Sequence, residues 1–434
     1  MQHRSITWLA PGALLLVVVA GAGTLFATYW DDAWHTDLGR DTATIPPHLL
    51  LYGSVAVIGV VVVAWGLAAL QRRRSLLAVL RQPPLLLAAT GATVTLATAP
   101  IDAAWHAAFG RDAVLWSPPH LLGVFGTLAL IVGTLAGTRP GTHPWIPAAA
   151  GALLLGSAVM PVLEFETDVP QFSEALYLPV LLAGGLLAAA VLRLVVPGPV
   201  PVVRAVGIYV LLRVAITIGL AGLGRSTPDL PLAILGLAAI DLPWQTATAR
   251  YAAAAIGVAL TTWLASAVGL ASVAAGAVAV VAVPALVVFA AVLLAAAGWL
   301  PRLGGAALLL LLGVTVALLP RPAAAHDPGQ GDPVAAVTLT GASDGRGTLA
   351  ISAGIADACA ALTPARVVAR RAGHTLTGAL TATGRCRYAG KVSVTPAGRW
   401  FLYVQLREAG RVVEAWLPVD ASRASRLVQR RELY

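Results

Sequence analysis

Apolar runs of about 20 residues follow one another from Leu9 to Leu319, broken by short polar stretches. As a helix, each is long enough to cross ~30 Å of hydrocarbon. The first, APGALLLVVVAGAGTLFATYW, is too long for a signal-peptide core and reads as a true span. It opens a helical hairpin, and a second hairpin of the same design follows, so residues 1–137 form one unit of two hairpins. Further spans are expected at 145–163, 179–197, 203–223, 250–270, 274–299 and 303–320, within a unit of residues 138–322. Between 223 and 250 the apolar core is short, which suits a short span or a re-entrant segment. Parity favours a span, because it leaves Arg250 and Arg302 inside, giving about eleven crossings. Beyond Pro320 the pattern changes to short β-rich runs with turn residues between them, such as GTLAISAGI, HTLTGALTATG and RWFLYVQLRE. Residues 323–420 therefore read as an immunoglobulin-like β-sandwich of near seven strands, followed by a mobile basic tail, 421–434.

Composition agrees with a multi-spanning membrane protein. The chain is 58% hydrophobic and 11% charged, where soluble domains carry about a quarter charged residues. The net charge of +9 does not point to nucleic acid, because the arginines gather at span ends and in the tail. Lipid is the expected partner, together with further membrane subunits or a second copy of the chain. Four arginines in QRRRSLLAVLRQ, Gln71 to Gln82, place that loop in the cytoplasm. The loops at 31–47 and 102–119 and the C-terminal domain then face outward. Cys359 and Cys386, the only cysteines, both fall in that domain and are expected to form a disulfide there.

One polar phrase occurs twice in this apolar setting: DDAWHTDLGRDTATIPPH from Asp31 and DAAWHAAFGRDAVLWSPPH from Asp102. Asp31 and His35 are four residues apart and share a helix face, as do Asp102 and His106. A Gly-Arg-Asp turn follows in both, and Arg40 and Arg111 are expected to pair with nearby aspartates there. Pro-Pro-His then opens the next span, which puts His48 and His120 in the first turn of a helix. The ends of one hairpin are neighbours, so Asp, His and His converge at the outer membrane boundary. Two imidazoles and a carboxylate form a three-ligand set that suits copper, zinc or ferrous iron and leaves room for water or substrate. The Irving–Williams order favours copper. Asp32 and Asp37 have alanine counterparts, Ala103 and Ala108, so the first set lies in the more negative field. A hairpin cap held by Asp–His hydrogen bonds is the plainer alternative.

The spacings Asp31-x3-His35-x12-His48 and Asp102-x3-His106-x13-His120 resemble the two metal motifs in the membrane C subunit of the particulate methane and ammonia monooxygenases. That family carries Asp-x3-His-x12-His followed by Asn-x3-His-x13-His. The resemblance spans residues 25–125 and implies copper sites of Asp31, His35 and His48, and of Asp102, His106 and His120, beside a site of substrate oxidation. Asp102 stands where the family has asparagine, and the span count and the C-terminal domain also depart from it. A weaker echo is Ala323-Ala324-Ala325 before His326, which could pass for a cleavage site freeing an N-terminal histidine as in the B subunit; an ordinary linker histidine is the plainer reading.

Outside the phrases, Glu164, Glu166 and Asp168 could guide cations or close the mouth of a site, though a solvated loop is the plainer reading; Asp241 must face protein or water, and Trp34, Trp105 and Trp116 suit an interfacial aromatic belt. Three functions compete. The first is a copper-dependent membrane monooxygenase-like oxidoreductase, or a subunit of one, acting on a small molecule the sequence does not name. The second is copper uptake, storage or delivery, and the third a structural role. With only two methionines, Met1 and Met160, the chain has no sulfur-rich copper(I) route. That favours fixed sites near the surface.

Overall fold

The computed structural model describes residues 7–38, 44–109, 115–167, 173–296, 334–356, 359–371, 374–395 and 397–434. Eleven α-helices precede nine β-strands among them. The first hairpin is α1 (Pro11–Leu38) and α2 (Pro46–Arg73), and the second is α4 (Pro83–Phe109) and α5 (Pro118–Ala136), with the short α3 (Leu76–Leu80) between them. Prolines at the first two helical positions start α2 and α5, where a missing N–H costs nothing. Next come α6 (Trp145–Ala158), α7 (Leu163–Glu166), α8 (Tyr177–Val195), α9 (Pro201–Gly222), α10 (Ala247–Ala267) and α11 (Ala275–Ala296).

Among the described residues seven helices are long and apolar enough to cross a membrane: α1, α2, α4, α5, α8, α9 and α11. The pair Trp145–Ala158 and Met160–Glu166, bent by 46°, is either a broken eighth span or a re-entrant loop. Leu194, Leu211, Val60 and Val280 project outward from these helices, as lipid contact requires. The described residues thus show seven or eight of the eleven crossings expected. The span expected at 250–270 is helical as α10, but Arg250 in its first turn, with Thr261, Thr262 and Ser266, dilutes its apolar character. The segment expected to span at 223–250 is a 3-10 helix of ten residues, Leu232–Asp241, bounded by Pro231 and Pro243. At about 2 Å per residue it is tighter than a standard span. Its lower end is pinned where Asp241 accepts from the first amides of α9, Val202 N at 2.8 Å and Val203 N at 2.9 Å, and pairs with Arg193. Asp241 thus faces protein, as its cost in lipid demands. The span expected at 303–320 and the His326 segment lie outside the described residues, as do Arg40, Arg111 and Asp168.

The strands are β1 (Ala335–Asp344), β2 (Thr348–Ile355), β3 (Leu362–Arg371), β4 (His374–Gly378), β5 (Leu380–Gly384), β6 (Arg387–Ser393), β7 (Arg399–Glu408), β8 (Arg411–Asp420) and β9 (Ala424–Leu433). They form a five-stranded sheet, β5-β6-β2-β1-β9, and a four-stranded sheet, β4-β3-β7-β8, with every pairing antiparallel. One cluster of buried side chains, including Leu339, Ile351, Trp400, Leu402 and Leu417, joins them. Ala409 (φ 46°) and Gly410 (φ 83°) make the two-residue turn of the β7–β8 hairpin, which needs left-handed backbone at both positions. Cys359 and Cys386 are bonded, Cα atoms 5.5 Å apart. The basic tail is not mobile. It is strand β9, in register with β1 from Ala335–Leu433 to Asp344–Ala424. Alternation in SRLVQRREL hides in its arginines, whose charge suggested solvent.

This domain sits on the bundle end that carries the first phrase. Arg431 donates to Thr36 O at 3.0 Å, Arg371 to Ser272 O at 2.9 Å and Arg399 to Thr227 O at 3.4 Å. Burial lowers the Arg431 guanidinium to about 10, against the opposing pull of Asp37.

Candidate metal centre

α1 carries Asp31 and, one turn on, His35 in its last turn; His48 is the third residue of α2. His48 Nε2 lies 3.1 Å from Asp31 Oδ1, and His35 Nε2 lies 3.7 Å from the same oxygen. One donor atom from each of the three falls within 4.8 Å of the others, all partly buried. Ligands about 2.0–2.1 Å from one ion lie roughly 3–4 Å from each other, so these two separations fit a shared cation. The spacing in the sequence works because α1 and α2 are antiparallel neighbours, so a helix end meets a helix start.

The second phrase repeats part of this geometry. His120, third in α5, places Nε2 3.3 Å from Asp102 Oδ1 on α4. His106 lies one turn beyond Asp102 on α4, and its side chain is outside the described residues. The structure thus brings together Asp31, His35 and His48 as one set and Asp102 with His120 as a pair.

The two phrases do not open as separate pockets. Asp31, His35, His48, Asp102 and His120 all line one cavity of about 460 Å³. Its floor is apolar, with Val17, Leu25, Ile58, Leu96 and Leu130 among the walls, while Thr24, Thr28, Thr95 and Thr98 add hydroxyls. Polar donors from both phrases and apolar walls together suit a small, weakly polar molecule.

Two carboxylates outside the ligand sets read from sequence belong here as well. Asp32 lines the cavity next to Asp31. Glu164, expected in a solvated loop, is 1% exposed and also lines it. It accepts the Leu115 amide, and Trp116 Nε1 donates to Pro161 O at 3.0 Å. The available signal was the Met160-Pro161 break, which turns the chain and drives the following residues inward. Asp37, counted as part of the first set's negative field, is outside the cavity lining and instead accepts from Ser226 N at 2.7 Å.

Glu166 is equally buried, paired with Arg213 at 2.8 Å. Arg213 is fully enclosed, stacks 4.2 Å above the Tyr29 ring centroid and donates to Tyr209 OH at 3.3 Å and Asp229 O at 2.6 Å. This network ties α1, α7 and α9 together behind the cavity. Trp34 lies under Arg225 at 5.1 Å, and Trp116 is turned into the protein by its bond to Pro161, so both hold local structure in addition to any interfacial role.

No protein-family model matches the chain, and neither a curated protein nor a solved structure matches it.

Proposed function

We propose that this is a copper-binding membrane protein whose two Asp/His/His sets serve a monooxygenase-like oxidoreductase, or a subunit of one. The observation that carries the reading is the single cavity of about 460 Å³ into which both repeated phrases deliver imidazole and carboxylate donors above an apolar floor. The donor chemistry fits copper: neutral nitrogen ligands and one anionic oxygen bind it ahead of zinc or ferrous iron in the Irving–Williams order. Copper, when bound, supplies one-electron and dioxygen chemistry. The chain's own part is to orient the ligands. Asp31 faces both His35 and His48 from one oxygen, and Asp102 fixes the His120 ring.

In this reading the two hairpins are a duplicated unit, the chain crosses the membrane eleven times, and the C-terminal domain is an extracytoplasmic sandwich. The docking of that domain on the Thr36 end of α1 supports placing domain and phrases on one side.

Copper content tests the proposal. Protein purified in mild detergent with copper supplied should hold about one to two ions per chain, fewer in His35→Ala and in His48→Ala. Zinc at full occupancy with no copper would refute the copper assignment, and absence of any metal would refute the centre. Oxygen consumption with small apolar substrates then separates an oxidoreductase from a copper carrier.

A further inference from the structure

Glu164 lies outside both phrases' ligand sets, yet it lines the cavity they share and bonds to the second phrase. α6 ends at Ala158, and the chain turns by 46° at Val159, where Met160 and Pro161 open the segment that carries α7. A proline inside a helix removes one ladder bond and crowds the preceding turn, so the helix breaks and its next turn leans toward the second hairpin. Pro161 O there accepts the indole of Trp116 at 3.0 Å, and the Glu164 carboxylate accepts the amide of Leu115. Leu115 and Trp116 are the residues that lead into Ser117-Pro118-Pro119-His120. With prolines at the first two positions of α5, that entry carries no amide donors of its own there, and Ser117 gives no side-chain cap. The two bonds from the bend therefore tether the connection through which the chain enters α5 and delivers His120. The carboxylate making one of them is 1% exposed and lines the same cavity as Asp102 and His120.

We infer that Glu164 is the positioning residue of the second half-site: its carboxylate holds the Leu115–Ser117 connection so that His120 meets Asp102 inside the cavity. The first half-site, built within its own hairpin, does not depend on it. This inference rests on the cavity being a metal centre.

The test uses the full chain in detergent, with copper(II) as probe and two backgrounds. In His35→Ala, which leaves the second set, Glu164→Met should weaken copper retention by about tenfold or more, while Glu164→Gln, which keeps an oxygen acceptor, should restore it to within about threefold. In His120→Ala, which leaves the first set, Glu164→Met should change nothing. Equal losses in both backgrounds, or no loss in either, would overturn the inference. Should Glu164→Met fail to fold, as judged by size exclusion, Glu164→Asp withdraws the oxygen by one methylene and carries the same expectation. A wild type that retains no copper defeats the metal reading instead. The positioning claim then stands on the metal-free protein: amide exchange at Leu115 should accelerate about tenfold or more in Glu164→Met and stay near wild type in Glu164→Gln, and unchanged exchange in Glu164→Met would overturn it.

Discussion

Gly126→Ala should damage the second half-site through backbone spacing alone. α4 and α5 meet backbone to backbone. A methyl group on Gly126 would lie 2.9 Å from the Thr95 amide nitrogen and 2.7 Å from its hydroxyl. Gly91 is tighter: its methyl would lie 2.6 Å from Gly126 O and closer still to the Leu130 nitrogen. Ordinary carbon contacts sit near 3.5–4.0 Å, so the helices must part by roughly 0.5–1 Å. Asp102 and His120 stand 3.3 Å apart on those two helices, and a further half-ångström takes them out of hydrogen-bond range. Overpacking of this kind costs about 1–3 kcal/mol, with Gly91→Ala at the upper end. Gly66→Ala on α2 is the internal control, since nothing lies within 4 Å of its added methyl; it should be neutral or stabilise by up to about 1 kcal/mol through helix propensity. The assay is thermal unfolding in detergent together with copper retained in the His35→Ala background. Equal stability and equal retention for Gly126→Ala and Gly66→Ala would refute the argument that close helix approach sets the site.

Arg213→Met strands the buried Glu166 carboxylate and should cost about 3–5 kcal/mol, whereas Arg213→Met with Glu166→Gln should recover much of it; equal losses in a denaturation series would show that the pair is not coupled. Asp229 is pushed up from the ordinary carboxyl value by burial, opposed by Ser272 hydrogen bonds and by the charges of Arg399 and Arg213. A carboxyl raised in the folded state contributes stability that is complete below its unfolded pKa near 4 and is lost as pH climbs through the folded value. Asp229→Asn should therefore gain on the wild type as pH rises from about 4 toward 7, and a melting difference independent of pH would count against it. Single cysteines at Ser422 and Ser75, in a chain lacking Cys359 and Cys386, report topology: Ser422 should label from outside intact cells and Ser75 should not, and the reverse pattern would put the phrases in the cytoplasm.

The hydrophobic pattern by itself determined where helices begin and end in the hairpins, because Pro-Pro at positions 46–47 and 118–119 and unbroken apolar runs leave few alternatives. It also brought Asp31, His35 and His48 together, since i, i+4 spacing and a hairpin suffice to gather them into one group that could hold a metal ion. The change to β structure after the last apolar run was equally local. What the tertiary structure decided depends on contacts between distant segments. That both phrases line one cavity follows from the approach of α2, α4 and α5, which no local spacing encodes. Glu164 and Glu166 are buried because the Pro161 bend turns them toward Leu115 and Arg213, 49 and 47 residues away in the chain. The basic tail becomes an ordered strand because β1 offers an open edge and Arg431 finds Thr36 O across the domain boundary. A charged residue reads as solvent-exposed in sequence; only its partner, supplied by the fold, lets it be buried.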